Sequence, residues 1–103
     1  MSSFDIGGID DVIHGRMRLG IVAYLASAEV ADFNELRNLL NATQGNLSVH
    51  LRKLEDAGYV AIEKRFVGRK PQTLARLTDS GRKAFASYLT AIAQLVEGAK
   101  PSS

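Results

Sequence analysis

The segment from Thr43 to Val60 constrains the fold more than any other, because it indicates one helix with a defined start, a defined end and two different faces. Thr43 is a good N-cap, since its hydroxyl can accept a hydrogen bond from an unpaired backbone N–H of the first turn. The apolar residues recur at helical spacing and form a single stripe: Leu47, Leu51 and Leu54. Gly58 follows the stripe, where a left-handed helix end favours a residue without a Cβ. The segment therefore predicts a helix over residues 44–57 that buries one face only.

The face opposite the leucines carries small or hydrogen-bonding side chains and then a guanidinium. At roughly 100° per residue, it consists of Gly45, Ser48, Val49 and Arg52, with Gln44 at the helix tip. Such a face fits a DNA groove, because small residues allow close approach, Gln and Ser reach base edges, and Arg pairs with guanine or phosphate. Taken alone, the segment is also compatible with an ordinary amphipathic helix that has a solvated face.

The charge of the chain is distributed unevenly along its length. Its net charge is only +2, but residues 1–43 hold three arginines against six acids. Residues 64–76 hold five cations and no acid: Lys64, Arg65, Arg69, Lys70 and Arg76. A basic segment of this kind is typical of a surface that binds a polyanion. A solvated hairpin is the alternative interpretation.

Composition bounds the class of protein. A chain of 103 residues suits one domain over residues 1–103. No apolar run approaches the roughly 20 residues of a membrane span, and the first residues do not resemble a secretory signal. The sequence has no cysteine, which excludes disulfides and thiolate metal sites and fits a reducing compartment. We therefore expect a cytoplasmic protein with no membrane partner.

Periodicity and capping signals predict a mainly α fold with a small β-hairpin (α+β). The expected elements are a flexible arm over residues 1–8, helix 1 over 9–26, a short helix over 33–40, the helix over 44–57, a hairpin over 59–77 and a last helix over 79–97. Asp32 and Glu35 form a capping box before the short helix. Gly68 suits the hairpin turn, Gly98 is expected to end the last helix, and a short strand can form around Val30. The short helix, a tight turn and the next helix make a helix-turn-helix.

The last helix has an unusually apolar surface. One stripe contains Phe85, Leu89, Ile92 and Val96, and a second contains Tyr88, Ala91 and Leu95. A terminal helix this apolar in a chain of 103 residues predicts packing against a second subunit. The alternative is that both stripes fold back on their own chain.

This order of elements resembles winged helix-turn-helix transcriptional regulators of the MarR/ArsR-like type, and is most similar to a compact branch of winged-helix DNA-binding domains. The resemblance covers about residues 9–90. It is carried by Val12-Ile13-His14 with Arg18-Leu19, Phe33-Asn34-Glu35-Leu36, the block from Gly45 to Val60, Lys64-Arg65-Phe66, Lys70-Pro71-Gln72-Thr73 and the block from Leu77 to Phe85. Each block alone is a weak signal, whereas their joint occurrence is specific.

The resemblance implies a homodimer in which each recognition helix enters a major groove and each wing lies along the backbone toward a minor groove. It places these recognition-helix residues at DNA: Gln44, Gly45, Asn46, Ser48, Val49, Arg52 and Lys53. It places these wing residues at phosphates or the minor groove: Lys64, Arg65, Arg69, Lys70 and Thr73. It implies an interface between the first and last helices, formed by Ile9, Val12, Ile13, Phe85, Tyr88, Leu89, Ile92, Leu95 and Val96. Related regulators often carry Arg where Val49 stands, so we expect thymine-methyl contact there.

Other types of site find little support in the sequence. His14 and His50 are the only histidines, and Asp10 is the one carboxylate expected to share a helix face with His14, which is too few ligands for a metal site. We expect His50 to pack or to contact phosphate. There is no Gly-rich phosphate loop and no plausible Ser–His–Asp arrangement, so we expect neither an enzyme nor a cofactor.

The sequence thus predicts a homodimeric, sequence-specific binder of double-stranded DNA, most simply a repressor at a palindromic operator. One alternative is a winged-helix protein-interaction module, which has no need for five cations over residues 64–76. Another is a non-specific nucleic-acid-binding architectural protein or a binder of double-stranded RNA, which would keep the cations without sequence preference. No pattern in the sequence identifies an effector ligand.

Overall fold

The computed structural model describes residues 6–99, which form four α-helices and three strands. The elements in chain order are a 3-10 turn at Ile6–Gly8, α1 at Arg16–Ala28, β1 at Val30–Asp32, α2 at Phe33–Leu40, α3 at Gln44–Asp56, β2 at Val60–Val67, β3 at Lys70–Leu77 and α4 at Asp79–Ala99. This order confirms the predicted helix-turn-helix followed by a hairpin and a terminal helix.

The strands form one antiparallel sheet in the order β1-β3-β2. The β2–β3 register runs from Val60 opposite Leu77 to Val67 opposite Lys70, and Gly68 in the turn has a φ of 65°. The short strand expected around Val30 is present and pairs with the base of β3. The sheet therefore has three strands at its base, whereas the outer hairpin has only two.

The core lies between the helices and the base of the sheet. Its buried side chains come from α1, α2, α3 and the three strands: Ile21, Val22, Leu25, Ala31, Leu36, Leu47, Leu51, Leu54, Val60, Ala75 and Leu77. The leucine stripe predicted for α3 is buried in this core. Because these three leucines face inward, the opposite side of α3 is held outward.

Local side-chain bonds define the helix-turn-helix. The Oγ1 of Thr43 accepts a hydrogen bond from the Asn46 N–H at 3.1 Å, which confirms the predicted N-cap of α3. Asp32 and Glu35 form the predicted capping box of α2. Asn41 ends α2 in the left-handed conformation, with a φ of 51°. Together these bonds satisfy helix-end groups that would otherwise lack partners, and they set the tight turn between α2 and α3.

The prediction of helix 1 over residues 9–26 was wrong at its start. The segment of residues 9–15 is a turn, in which Asp10 Oδ1 accepts hydrogen bonds from the N–H groups of Val12 at 2.8 Å and Ile13 at 3.2 Å. A side-chain carboxylate that binds its neighbouring N–H groups competes with a helix at this position. Most of the predicted arm, residues 1–5, lies outside the described residues.

The predicted end of the last helix was also displaced, since α4 continues through Gly98 to Ala99. With 21 residues, α4 has a length of roughly 31 Å. The described chain accordingly measures 62 × 26 × 21 Å, and its radius of gyration of 15.9 Å exceeds the roughly 13 Å typical of a compact domain this size. This elongation reflects the hairpin and α4, which reach beyond the core.

Two residues predicted for a dimer interface are buried inside a single subunit instead. Ile13 has no exposed surface, and Tyr88 is 4% exposed. The turn before α1 covers this part of α4, and the His14 Nδ1 lies 3.0 Å from the Tyr88 hydroxyl. These two residues therefore have almost no surface to offer to a partner. Farther along α4, Leu89 and Val96 are 51% and 55% exposed.

The start of α4 packs so closely on the loop between α3 and β2 that we expect Gly81→Ala to destabilise the protein. A Cβ at Gly81 would lie 2.1 Å from the Tyr59 carbonyl oxygen. Overpacking of this kind typically lowers the free energy of unfolding by about 1–3 kcal/mol. Urea denaturation measures the change.

Gly45→Ala is the matched control, because Gly45 is also helical but has no atom within 4 Å of an added Cβ. Replacing a helical glycine by alanine should raise the free energy of unfolding by about 0.5–1 kcal/mol. Equal stabilities of the two variants would contradict the close contact at Gly81.

Candidate nucleic-acid interface

The outer face of α3 presents the recognition-helix residues that are predicted to contact DNA. All seven predicted residues of this helix are exposed: Gln44, Gly45, Asn46, Ser48, Val49, Arg52 and Lys53. The first turn holds no acidic side chain, and its positive helix end favours an approaching anion. An added Cβ at Gly45 meets no atom within 4 Å, so the surface there is open to close approach.

A groove of about 500 Å³ joins this face of α3 to the hairpin. From α3 it is lined by Gln44, Ser48, Leu51, Arg52, Glu55 and Asp56, from the hairpin by Ile62, Lys64 and Thr73, and from α2 by Phe33. The structure thus brings predicted helix and wing residues together on one surface. Sequence analysis did not anticipate the two acids, Glu55 and Asp56, which repel phosphate at their part of the groove.

The two faces of the hairpin carry different groups, because successive residues of a strand alternate between faces. Lys64 and Thr73 are opposite each other in the register and line the groove. Arg65 and Gln72 form the next pair, on the other face, where Arg65 Nε donates to Gln72 Oε1 at 3.2 Å. Arg65 is therefore placed away from the groove that its neighbour Lys64 enters.

Hydrogen bonding connects this second face of the hairpin to the start of α2. Gln72 Nε2 donates to Asp32 Oδ2 at 3.0 Å. This bond, followed by the backbone N–H groups of Asn34 and Glu35, lowers the pKa of Asp32 against a smaller opposing effect of burial. The ionised Asp32 thus caps α2 and holds the outer hairpin through Gln72.

Not all of the five cations of residues 64–76 are equivalent. Arg76 lies 3.4 Å from Glu63 on the neighbouring strand and forms an exposed ion pair. Its charge is thereby partly neutralised by an acid just outside the basic segment. Lys64, Arg69 and Lys70 are exposed on the outer hairpin and are the cations best placed for phosphate.

Arg18 supports α3 from behind, and sequence analysis missed this role. Its Nε donates to the Val12 carbonyl oxygen at 2.6 Å, and its Nη1 lies 3.0 Å from His50 Nδ1 on α3. Because a guanidinium can only donate, this contact requires an unprotonated Nδ1. Burial, followed by the charges of Arg18 and Lys53, lowers the pKa of His50. His50 therefore makes an inward structural contact through Nδ1, in agreement with the packing role expected for it.

Asp10 and His14, the two residues considered as metal ligands, each contact a tyrosine in the structure. Asp10 Oδ2 accepts a hydrogen bond from the Tyr59 hydroxyl at 2.6 Å, which is the main cause of the raised pKa of Tyr59. His14 contacts Tyr88 on α4. Within residues 6–99 no three His, Asp or Glu side chains cluster as metal ligands would.

Among the helices of residues 6–99, none combines the length and apolarity of a bilayer span.

Comparison with known sequences identifies the family. The profile of the winged helix DNA-binding domain matches residues 17–96. The chain belongs to the winged helix DNA-binding domain family. By their positions in this fold, α3 corresponds to the recognition helix and the β2–β3 hairpin to the wing.

Individual relatives agree with this assignment. The chain is 38% identical over 84 residues to an uncharacterized protein of Methanocaldococcus jannaschii, covering 82% of this chain and 91% of the relative. A transcriptional regulator homologue from Pyrococcus horikoshii OT3 superposes with a TM-score of 0.80 at 29% identity, covering 87% and 89% of the two chains.

A putative MarR-family regulator from Enterococcus faecalis V583 superposes with a TM-score of 0.70 at 26% identity, covering 84% of this chain and 76% of that one. Both solved structures share the winged helix fold of this chain. The family and fold of this winged helix protein are therefore those of DNA-binding transcriptional regulators.

The lowered pKa of His50, caused first by burial and then by the charges of Arg18 and Lys53, predicts a pH-dependent stability. Since the pKa of His50 is lower in the folded state than its unfolded value of about 6.5, the unfolded chain takes up a proton first as the pH falls. The His50 contribution is therefore fully present above pH 6.5 and is lost as the pH falls below it.

His50→Gln removes this titration. The free energy of unfolding of the wild type should therefore fall relative to that of the variant when the pH is lowered from 7.5 to 5. Urea denaturation at each pH measures the two free energies of unfolding. Parallel pH profiles would show that His50 titrates alike in both states.

Proposed function

We propose that this protein is a homodimeric regulator in the cytoplasm that binds palindromic sites in double-stranded DNA and represses transcription by occluding a promoter. The observation that carries the proposal is the convergence of the exposed face of α3 with Lys64 and Thr73 of the wing on one groove. A helix that enters the major groove beside a basic hairpin is the docking arrangement that this surface favours.

Base contacts are assigned to the N-terminal and central part of α3. Arg52 can pair bidentately with guanine, Gln44 and Ser48 can hydrogen-bond to base edges, and Val49 can contact a thymine methyl. Val49 is 53% exposed, which leaves its methyl groups accessible. Gly45, which has no side chain, allows the backbone of α3 to approach the DNA major groove closely. Asn46 and Lys53 flank this set, with Lys53 assigned to phosphate.

Phosphate contacts are assigned to the wing. Lys64, Arg69 and Lys70 are exposed on the wing and Thr73 is half-buried beside Lys64, so that they can follow the DNA backbone toward the minor groove. Arg65 belongs to the same set from the other face of the hairpin. Contacts of this kind position the protein on the duplex and supply most of the salt-dependent affinity, while base contacts supply specificity.

The dimer is proposed from the apolar surface of α4. Leu89 and Val96 are exposed, and Ile92 and Leu95 are only half-buried. Ile9, Val12 and Phe85 are also half-buried and are assigned to the edge of this surface, although Val12 and Phe85 pack partly against the core. Pairing two such surfaces removes apolar area from water. If each subunit occupies one half-site, the two recognition helices lie about 34 Å apart on one face of the DNA.

Selection of bound fragments from a random DNA library, followed by binding across a salt series, tests the proposal. A palindromic motif with steep salt dependence is the expected result. Salt-dependent binding without any motif would indicate an architectural protein instead. No binding at low salt would leave the protein-interaction module as the better hypothesis.

Two variants separate base contact from phosphate contact. Arg52→Ala should weaken binding to the selected motif by about 1–3 kcal/mol and relax the preference at one base position. Lys70→Ala should weaken binding to all sequences alike and reduce the slope of log K against log salt by about 1. Repeated selection and salt titration of each variant measure these effects. An unchanged sequence preference in Arg52→Ala would contradict its assignment to a base.

The dimer is tested by placing charge on the apolar surface of α4. Leu89→Glu/Val96→Glu should convert a particle with the mass of two chains into one with the mass of a single chain, as measured by light scattering at micromolar concentration. Gln94→Glu is the matched control, because Gln94 is exposed on the opposite face of α4. A wild type that is monomeric under these conditions would contradict the dimer.

A further inference from the structure

The end of the wing carries an exposed aromatic side chain that the contacts described so far do not use. Phe66 is 73% exposed and stands opposite Pro71 in the β2–β3 register. The alternation of Val60, Ile62 and Phe66 along β2 is typical of a packed strand face. In the structure only the first two positions reach the body of the domain, because the outer hairpin extends beyond it.

Phe66 lies on the same face of the hairpin as the groove beside α3. Alternate cross-strand pairs share a face, and from base to tip these pairs are Val60–Leu77, Ile62–Ala75, Lys64–Thr73 and Phe66–Pro71. The first pair is buried in the core, and the third lines the groove. Phe66 therefore continues the DNA-facing surface, about 7 Å farther along the strand than Lys64.

The surroundings of Phe66 fit nucleic acid. Lys64, Arg65, Arg69 and Lys70 lie within four residues of it, and no acid occurs between residues 64 and 76. Cations near the tip of the wing match the phosphates on either side of a narrow groove, and an exposed apolar side chain among them in sequence matches the space between stacked bases. The charge of the wing tip thus favours DNA as the partner of Phe66.

We propose that Phe66, backed by Pro71, is a wedge that enters the minor groove beyond the half-site and inserts between two base pairs, kinking the duplex. The inference rests on the proposed DNA-binding function and adds a mode of recognition to it. Phe and Pro are among the side chains that proteins insert in this way. Because pyrimidine–purine steps unstack most easily, the wedge should favour a TA or CA step at a position that α3 does not contact.

The DNA bend tests the wedge directly. The probe is the library-selected duplex, or a 40-base-pair duplex of mixed sequence if no motif emerges, with a fluorescent donor and acceptor at its ends. The wild type should bend it by about 20° or more. Phe66→Ala should lose most of this bend, whereas Phe66→Leu, which keeps an apolar wedge, should retain most of it.

Val67→Ala is the matched control. Val67 is 58% exposed and adjacent in sequence, but it lies on the opposite face of the hairpin. Its removal should leave the bend unchanged. Since both side chains are exposed, neither substitution should alter the thermal unfolding midpoint measured by circular dichroism.

A second measurement separates wedging from simple surface contact. On an intact duplex, Phe66→Ala should bind about tenfold more weakly than the wild type, because the unstacked step is no longer stabilised. On the same duplex with a one-nucleotide gap at the wedge step, insertion no longer breaks a base stack, so the wild type should bind more tightly than to the intact duplex, whereas Phe66→Ala, which does not insert, should gain less. Val67→Ala should match the wild type on both duplexes.

The outcomes distinguish failure of the wedge from failure of the proposed function. Wild-type binding without a bend, or a bend that Phe66→Ala preserves, overturns the wedge and leaves DNA recognition intact. A change in the molar mass of the free protein on Phe66→Ala would place Phe66 between protein copies and also overturn it. Absence of any DNA binding by the wild type at low salt overturns the proposed function and the wedge together.

Discussion

Burial of the leucine stripe of α3 is the interaction on which the rest of the structure depends. Leu47, Leu51 and Leu54 enter the common core with residues of α1, α2 and the sheet. Each fully buried leucine contributes roughly 1.5–3 kcal/mol, so rotation of α3 about its axis would be costly. The same burial that stabilises the domain therefore aims the polar face of α3 outward, beside the wing. Burial of these leucines is therefore the physical cause both of folding and of the outward orientation of the candidate interface.

Polar side chains then tie the peripheral parts to this core. Asp10 binds the turn before α1 to Tyr59 after α3, and Arg18 binds the same turn to His50 within α3. His14 continues the connection to Tyr88 on α4. The recognition helix and the helix proposed for dimerisation are thus linked through one short segment.

The basic wing divides its charges between structure and binding. The Arg76–Glu63 pair lies near the base of the hairpin, where β1 also pairs with β3. Residues 64–76 contain no acid, and the exposed Phe66 lies near the tip, within four residues of Lys64, Arg65, Arg69 and Lys70. The base of the hairpin is therefore anchored by β1, whereas its tip is basic and carries an exposed aromatic side chain. An anchored base and a basic tip suit a hairpin that is held by the protein at one end and contacts DNA at the other, as proposed for the wing.

The sequence by itself determined the elements whose signals are local. The leucine spacing, the Thr43 cap, the capping box of Asp32 and Glu35 and the turn at Gly68 each act within a few residues, and the structure confirms them. The same leucine spacing predicted which residues of α3 are exposed on the opposite face of the helix, and these residues are exposed in the structure. The family resemblance agreed with these signals, since the fold arranges them in a common order.

Only the tertiary structure decided features that depend on distant partners. Residues 9–15 have helical spacing, yet Asp10 bonds to nearby N–H groups and to Tyr59, which is 49 positions away. Ile13 and Tyr88 have the apolar character of an interface, yet they pack inside one subunit. Phe66 alternates like a core residue but lies beyond the core. Periodicity indicates that a side chain is apolar, whereas long-range packing determines which surface, if any, covers it.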